Sequence, residues 1–128
     1  MRAQFLSLSL IGFAAQAVHA HHAFSGNYDI DLIGTVEGVV EEVAWGNPHV
    51  HYYITVANED GSQELWDVET GNLRFMSLAG WTRNTIQIGE TIKVTGPLGT
   101  SGKHRVAANS FEKEDGTVLS PSRSPDPQ

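Results

Sequence analysis

Apolar and polar residues alternate strictly from His49 to Val56. Val50, Tyr52, Ile54 and Val56 fall on one side of an extended chain, and His49, His51, Tyr53 and Thr55 fall on the other. This pattern predicts a strand with one face against a core, entered through the break Trp45-Gly46-Asn47-Pro48. Upstream, Ile33 to Val43 is rich in β-branched residues, with Val36, Val39, Val40 and Val43 apolar. The change of phase at Val39-Val40, beside Gly38, predicts a bulge or strong bend. Downstream, Asn58-Glu59-Asp60-Gly61 is a hairpin signal. It leads into a third strand, Gln63 to Thr70, with Trp66 and Val68 on one face and Asp67 and Glu69 on the other.

Gly71-Asn72 then starts a short helix, Leu73 to Ala79, which Gly80 stops. Its stripe of Leu73, Met76 and Ala79 should lie on the sheet. A turn at Ile88-Gly89-Glu90 feeds a strand with Ile92 and Val94 inward. Pro97 to Lys103 reads as a Gly-rich loop, and His104 to Glu112 as the last strand. The order β-β-β-α-β-β is that of a five-stranded, partly open barrel of the OB type, all-β with one short helix. A lipocalin-like barrel or an immunoglobulin sandwich would need about eight or seven strands, more than the pattern provides.

The barrel is expected over residues 33–118, after an extended lead-in at 21–32. A Ser/Pro-rich tail at 119–128 is expected to be disordered. Residues 1–20 read as an export signal. Arg2 supplies the positive charge, Phe5 to Ala15 is an apolar run too short to span a bilayer, and Val18-His19-Ala20 has small residues at the cleavage positions. Ala15-Gln16-Ala17 is a rival cleavage site, but the later cut leaves a polar segment of ordinary length after the apolar run. Cleavage after Ala20 would give a periplasmic or secreted product with no stable membrane insertion. The net charge of −7, from 15 acidic and 8 basic residues among 128, argues against nucleic-acid binding. There is no cysteine, so the core must hold the fold without disulfides. Any metal site must draw on His, carboxylates, Met or the terminal amine.

Several landmarks together resemble a family of small exported bacterial proteins of unknown function. They are the signal followed by His21-His22-Ala23-Phe24, the Tyr28-Asp29 lead-in, Gly34-Thr35-Val36, Trp45-Gly46-Asn47-Pro48-His49 and Gly80-Trp81-Thr82-Arg83. The resemblance implies export and a small β-domain, and it brings no activity with it. Candidate chemistry therefore comes from the residues themselves.

A mature chain starting at His21 would carry an α-amine and an imidazole on one residue, a bidentate nitrogen chelate, with His22 next to it. Such ligands suit copper first, with zinc or nickel as alternatives. His49 and His51, one pleat repeat apart on one strand face, could supply further nitrogen if the lead-in folds back beside that strand. Asp29, Asp31 or Tyr53 could add oxygen. The site residues expected for a metal are thus His21, His22, His49 and His51. The plainer alternative is a solvated terminus and an ordinary half-exposed strand. His104, beside the Gly-rich loop, reads as a solvated residue.

A second reading is a binding module without metal, recognising an oligosaccharide, peptide or envelope partner through Trp45, Tyr53 and Trp81. Against it, Trp66 and Trp81 are natural core residues and Trp45 a natural rim residue. A third reading, ranked behind both, is a copper-dependent redox enzyme, for which the sequence offers no substrate cleft. No Ser-His-Asp order, phosphate loop, dinucleotide fingerprint or HExxH is present, and no catalytic residue is assigned.

Overall fold

The computed structural model describes residue 24 and residues 26–121, so the segment expected to be an export signal, His21, His22 and the final Ser/Pro-rich residues lie outside it. Among the described residues the elements run β1 (Tyr28–Ala44), β2 (His51–Ala57), β3 (Gln63–Glu69) and α1 (Leu73–Leu78). They continue with β4 (Thr91–Gly99), a 3-10 turn (Thr100–Gly102), β5 (Arg105–Ala107), β6 (Ser110–Lys113) and β7 (Val118–Leu119). β1 pairs with both β2 and β4, β2 with β3, β3 with β5 in parallel, and β5 with β4. That circuit closes a five-stranded barrel, and β6 and β7 extend the sheet from β4. The fold is all-β with one short helix after the third strand, as the pattern predicts.

β1 serves two partners because it is 17 residues long and irregular at two points. One register shift lies between Asp29 and Ile33 against β4, and the other between Val40 and Glu42 against β2. The second falls beside the predicted phase change. Val36 and Val40 face inward before it, and Val43 packs partly against the core after it. Tyr28 to Leu32, part of the expected lead-in, is already strand.

The interior is a single apolar cluster. Tyr52, Trp81 and Phe111 meet at its centre, with ring centroids 5.2 Å apart for Trp81–Phe111 and 5.8 Å for Tyr52–Phe111. Val50, Ile54, Val68, Met76, Ile92, Val94 and Val106 are fully buried around them. α1 lays Met76 on this core, with Leu73 and Ala79 packed beside it. Its first turn is capped twice. The Asn72 side chain accepts from Phe75 N at 2.9 Å, and Asn47 Oδ1 accepts from Leu73 N at 3.0 Å.

The structure corrects the end of the chain. The last predicted strand, His104 to Glu112, divides into β5 and β6 because its two halves serve different neighbours. β5 joins β3, and the Ala108 and Asn109 amides turn to Glu69 O and Thr95 O before β6 joins β4. β4 also runs on to Gly99, through Pro97, past the predicted stop at Gly96.

At Gly96 two backbones approach closely, since a Cβ there would lie 1.8 Å from the Ala107 carbonyl oxygen. Backbone fills that space and cannot move aside cheaply. Gly96→Ala should therefore destabilise the fold by about 3 kcal/mol or more. Gly46→Ala, with nothing within 4 Å of the added carbon, should be close to neutral, and urea titration of both variants measures the difference.

Candidate functional site

The hairpin register sets His51 opposite Glu69 and Tyr53 opposite Asp67 on the barrel's outer surface. Each histidine reaches a carboxylate on β3 diagonally. His51 Nδ1 lies 2.6 Å from Asp67 Oδ1, and His49 Nδ1 lies 2.8 Å from Glu69 Oε1. An ionised carboxylate only accepts, so Nδ1 is the protonated nitrogen in both neutral rings. Nε2 then carries the lone pair in each neutral ring, and neither Nε2 has a partner among the described residues.

Each carboxylate is also held from its other side. Arg105 Nη2 donates to Asp67 Oδ2 at 3.0 Å, while Arg105 Nη1 donates to Asn27 Oδ1 at 2.9 Å. The guanidinium carbon stands 5.4 Å above the Tyr28 ring. Tyr28 in turn donates its hydroxyl to Glu69 Oε2. The result is two parallel chains, Arg105–Asp67–His51 and Tyr28–Glu69–His49, joined through the contact of Arg105 with Tyr28.

Charge follows this geometry. The Asp67 hydrogen bond raises the His51 imidazole above its ordinary value, against the opposing effect of partial burial. Burial alone would raise the Asp67 carboxyl, but the hydrogen bonds and charges of His51 and Arg105 outweigh it and hold the group below the carboxylate range. Burial, followed by the hydrogen bond to Glu69, pushes the Tyr28 phenol far up, so it remains a donor across the physiological range.

The chain approaches this face from the N-terminus. The Phe24 and Tyr28 rings lie 5.0 Å apart. Phe24 also lines a cavity of about 270 Å³ together with His49, Glu69 and Pro97. The expected pair His49 and His51 is thus brought to one surface beside the lead-in, whereas His21 and His22 lie outside the described residues. Among the described residues no group of three or more His, Asp or Glu side chains is placed to hold a metal ion.

The alternative trio is dispersed. Trp81 is 4% exposed against Tyr52 and Phe111, Tyr53 stacks on His51 with centroids 6.1 Å apart, and Trp45 packs on the edge of the core. No ring contact joins these three among the described residues. His104 is engaged, with its ring stacked on Trp66 at 5.2 Å and Nε2 at 3.3 Å from Glu64. Sequence reasoning missed Asp67, Glu69, Arg105 and Tyr28 as partners. The signal for the two acids was present in the hairpin, because counting back from its turn places β3 carboxylates across from the β2 histidines.

The family of unknown function DUF6152 matches residues 9–108. The chain belongs to this family. Family membership covers both histidines, both carboxylates and Arg105, and it assigns no chemistry to any of them. No curated protein matches the sequence. Among the described residues no helix is long and apolar enough to cross a membrane.

The His51–Asp67 pair makes stability depend on pH with a definite sign. A raised His51 contributes stability that is complete below its unfolded value near 6.5 and fades as pH rises through the higher folded value. A lowered Asp67 contributes stability present above its unfolded value of 3.8 and lost as pH falls through the folded value. The stability gap between the parent and His51→Ala should be about 1–2 kcal/mol between pH 4 and 6.5 and should narrow at higher pH. Denaturant titrations at stepped pH measure it.

Proposed function

We propose that this chain is an exported metal-binding module, with copper its foremost ligand, whose role is to carry or buffer the ion. The observation that carries the reading is the pair of imidazoles, each held by a β3 carboxylate through Nδ1, which leaves Nε2 of each ring available. Carboxylate-held imidazoles of this kind are what metal sites use to fix the tautomer and raise the basicity of the ligating nitrogen. Bound copper would supply a Lewis acid able to take several nitrogen ligands.

The remaining nitrogen donors come from the mature terminus. His21 lies three residues ahead of Phe24, a span of at most about 11 Å in extended chain. Phe24 shares its cavity with His49, so the terminal amine and imidazole of His21 come within reach of that ring. We assign His21 and His49 as the central pair, His51 as a further ligand, and His22 as a substitute. Glu69 and Asp67 position the two strand histidines. Export bears directly on the chemistry, because only cleavage after Ala20 converts the His21 peptide nitrogen into an amine.

Two measurements on secreted protein test the proposal. Intact mass should show a chain beginning at His21. Calorimetric titration with Cu(II) should show one tight site, weakened at least tenfold by His21→Ala and by His49→Ala and unaffected by His104→Ala. If His21, His49 and His51 can each be replaced without loss of affinity, the assignment fails.

A further inference from the structure

The segment that leads into β1 has little packing of its own. Phe24 is 43% exposed, and a Cβ built on Gly26 would meet nothing within 4 Å. Side-chain ties fix this arm instead. Thr100 Oγ1 donates to the Gly26 carbonyl at 2.9 Å, the Phe24 ring lies 5.0 Å from that of Tyr28, and Arg105 Nη1 donates to Asn27 Oδ1 at 2.9 Å. Tyr28 itself is already in the ladder, paired with Gly99.

The Arg105 tie differs from the others because the same guanidinium also holds the histidine face. Its Nη2 donates to Asp67 Oδ2 at 3.0 Å, and Asp67 holds His51. The parallel register of β3 and β5 sets residue 105 opposite Asp67, so the place of the fork follows from the barrel. A planar guanidinium presents one nitrogen to each oxygen in fixed directions, whereas a lysine ammonium is a single point charge on a flexible stem.

We propose that Arg105 is the positioning residue that delivers the N-terminal arm to the histidine face, by clamping Asn27 to Asp67. The role rests on the metal reading of His21 and His49 and deepens it. With the arm held as far as Phe24, His21 is tethered by three residues to a ring that lines the His49 cavity. With the arm released back to Tyr28, the tether is seven residues long. Effective concentration falls roughly as the −3/2 power of tether length, so release should weaken coordination by His21 about three- to fourfold.

Nitrogen-15 relaxation on the metal-free secreted protein reads the clamp, and calorimetric titration with Cu(II) reads the delivery. Amide order parameters at residues 26 and 27 should be about 0.85 in the parent and fall to about 0.6 or less in Asn27→Ala and in Arg105→Lys. Asn27→Ala leaves the Arg105–Asp67 bond in place, so it tests the arm tie without touching the support of His51. Both variants should bind Cu(II) about three- to fourfold more weakly than the parent. In a His21→Ala background the same substitutions should change affinity by less than about 1.5-fold. Weakening that persists without His21 would mark a merely structural role and overturn the proposal, as would unchanged order at residues 26 and 27. A parent that binds no Cu(II) would overturn the metal reading and the delivery role together. A parent that binds Cu(II) with the same affinity as both variants would overturn the delivery role alone.

Discussion

The loop Asn58–Ser62 sets the register of β2 against β3, and the chemistry of the outer face depends on that register. Asn58 and Ser62 close the loop through a 2.8 Å backbone bond, and Gly61 takes a positive φ of 86° that a glycine tolerates. A slip of one residue would turn Asp67 and Glu69 toward the core and Trp66 and Val68 toward water. The apolar interior therefore enforces the pairing of imidazoles with carboxylates. Burying Tyr52, Ile54 and Val68 leaves their neighbours His51, Tyr53, Asp67 and Glu69 only the outer face to occupy.

This explains why so much was legible in the sequence and where legibility stopped. Alternation along residues 49–56 located β2 and its inward set, and the Gly71-Asn72 break located the cap of α1. The phase change near Val40 marked a bulge that lets β1 change partner. The division of the last strand was missed although its spacing carried a sign of it: Val106 and Phe111 are five residues apart and both inward, which an unbroken strand of period two cannot provide. Parallel pairing of β3 with β5 is a fact of topology with no local signature. The position of Arg105 between Asp67, Asn27 and Tyr28 follows from it and shared its invisibility.

The two faces of the barrel wall use opposite strategies. Inside, large rings fill space with little need for polar partners, although the Tyr52 hydroxyl and the Trp66 indole nitrogen are enclosed without one among the described residues. Outside, the Asp67 carboxylate is held by His51 and Arg105, and the Glu69 carboxylate by His49 and Tyr28. Carboxylates fixed from both sides hold the two imidazoles in place, which is what a ligand there would need. Tyr28, only 2% exposed, links that surface to the incoming chain, with its hydroxyl on Glu69 and its ring against Phe24.

The ladder between β1 and β4 has a consequence for how the molecule comes into being. Tyr28 pairs with Gly99 and Val36 with Val94, so the longest strand waits for partners far along the chain. Such non-local pairing must meet the loop-closure cost before any contact repays it, which slows folding. A nascent polypeptide emerging from the ribosome can form the β2–β3 hairpin early, but it cannot close the circuit until β4 and β5 have been made. For most of its synthesis it stays an open chain, the form in which a protein can still be threaded through a narrow pore.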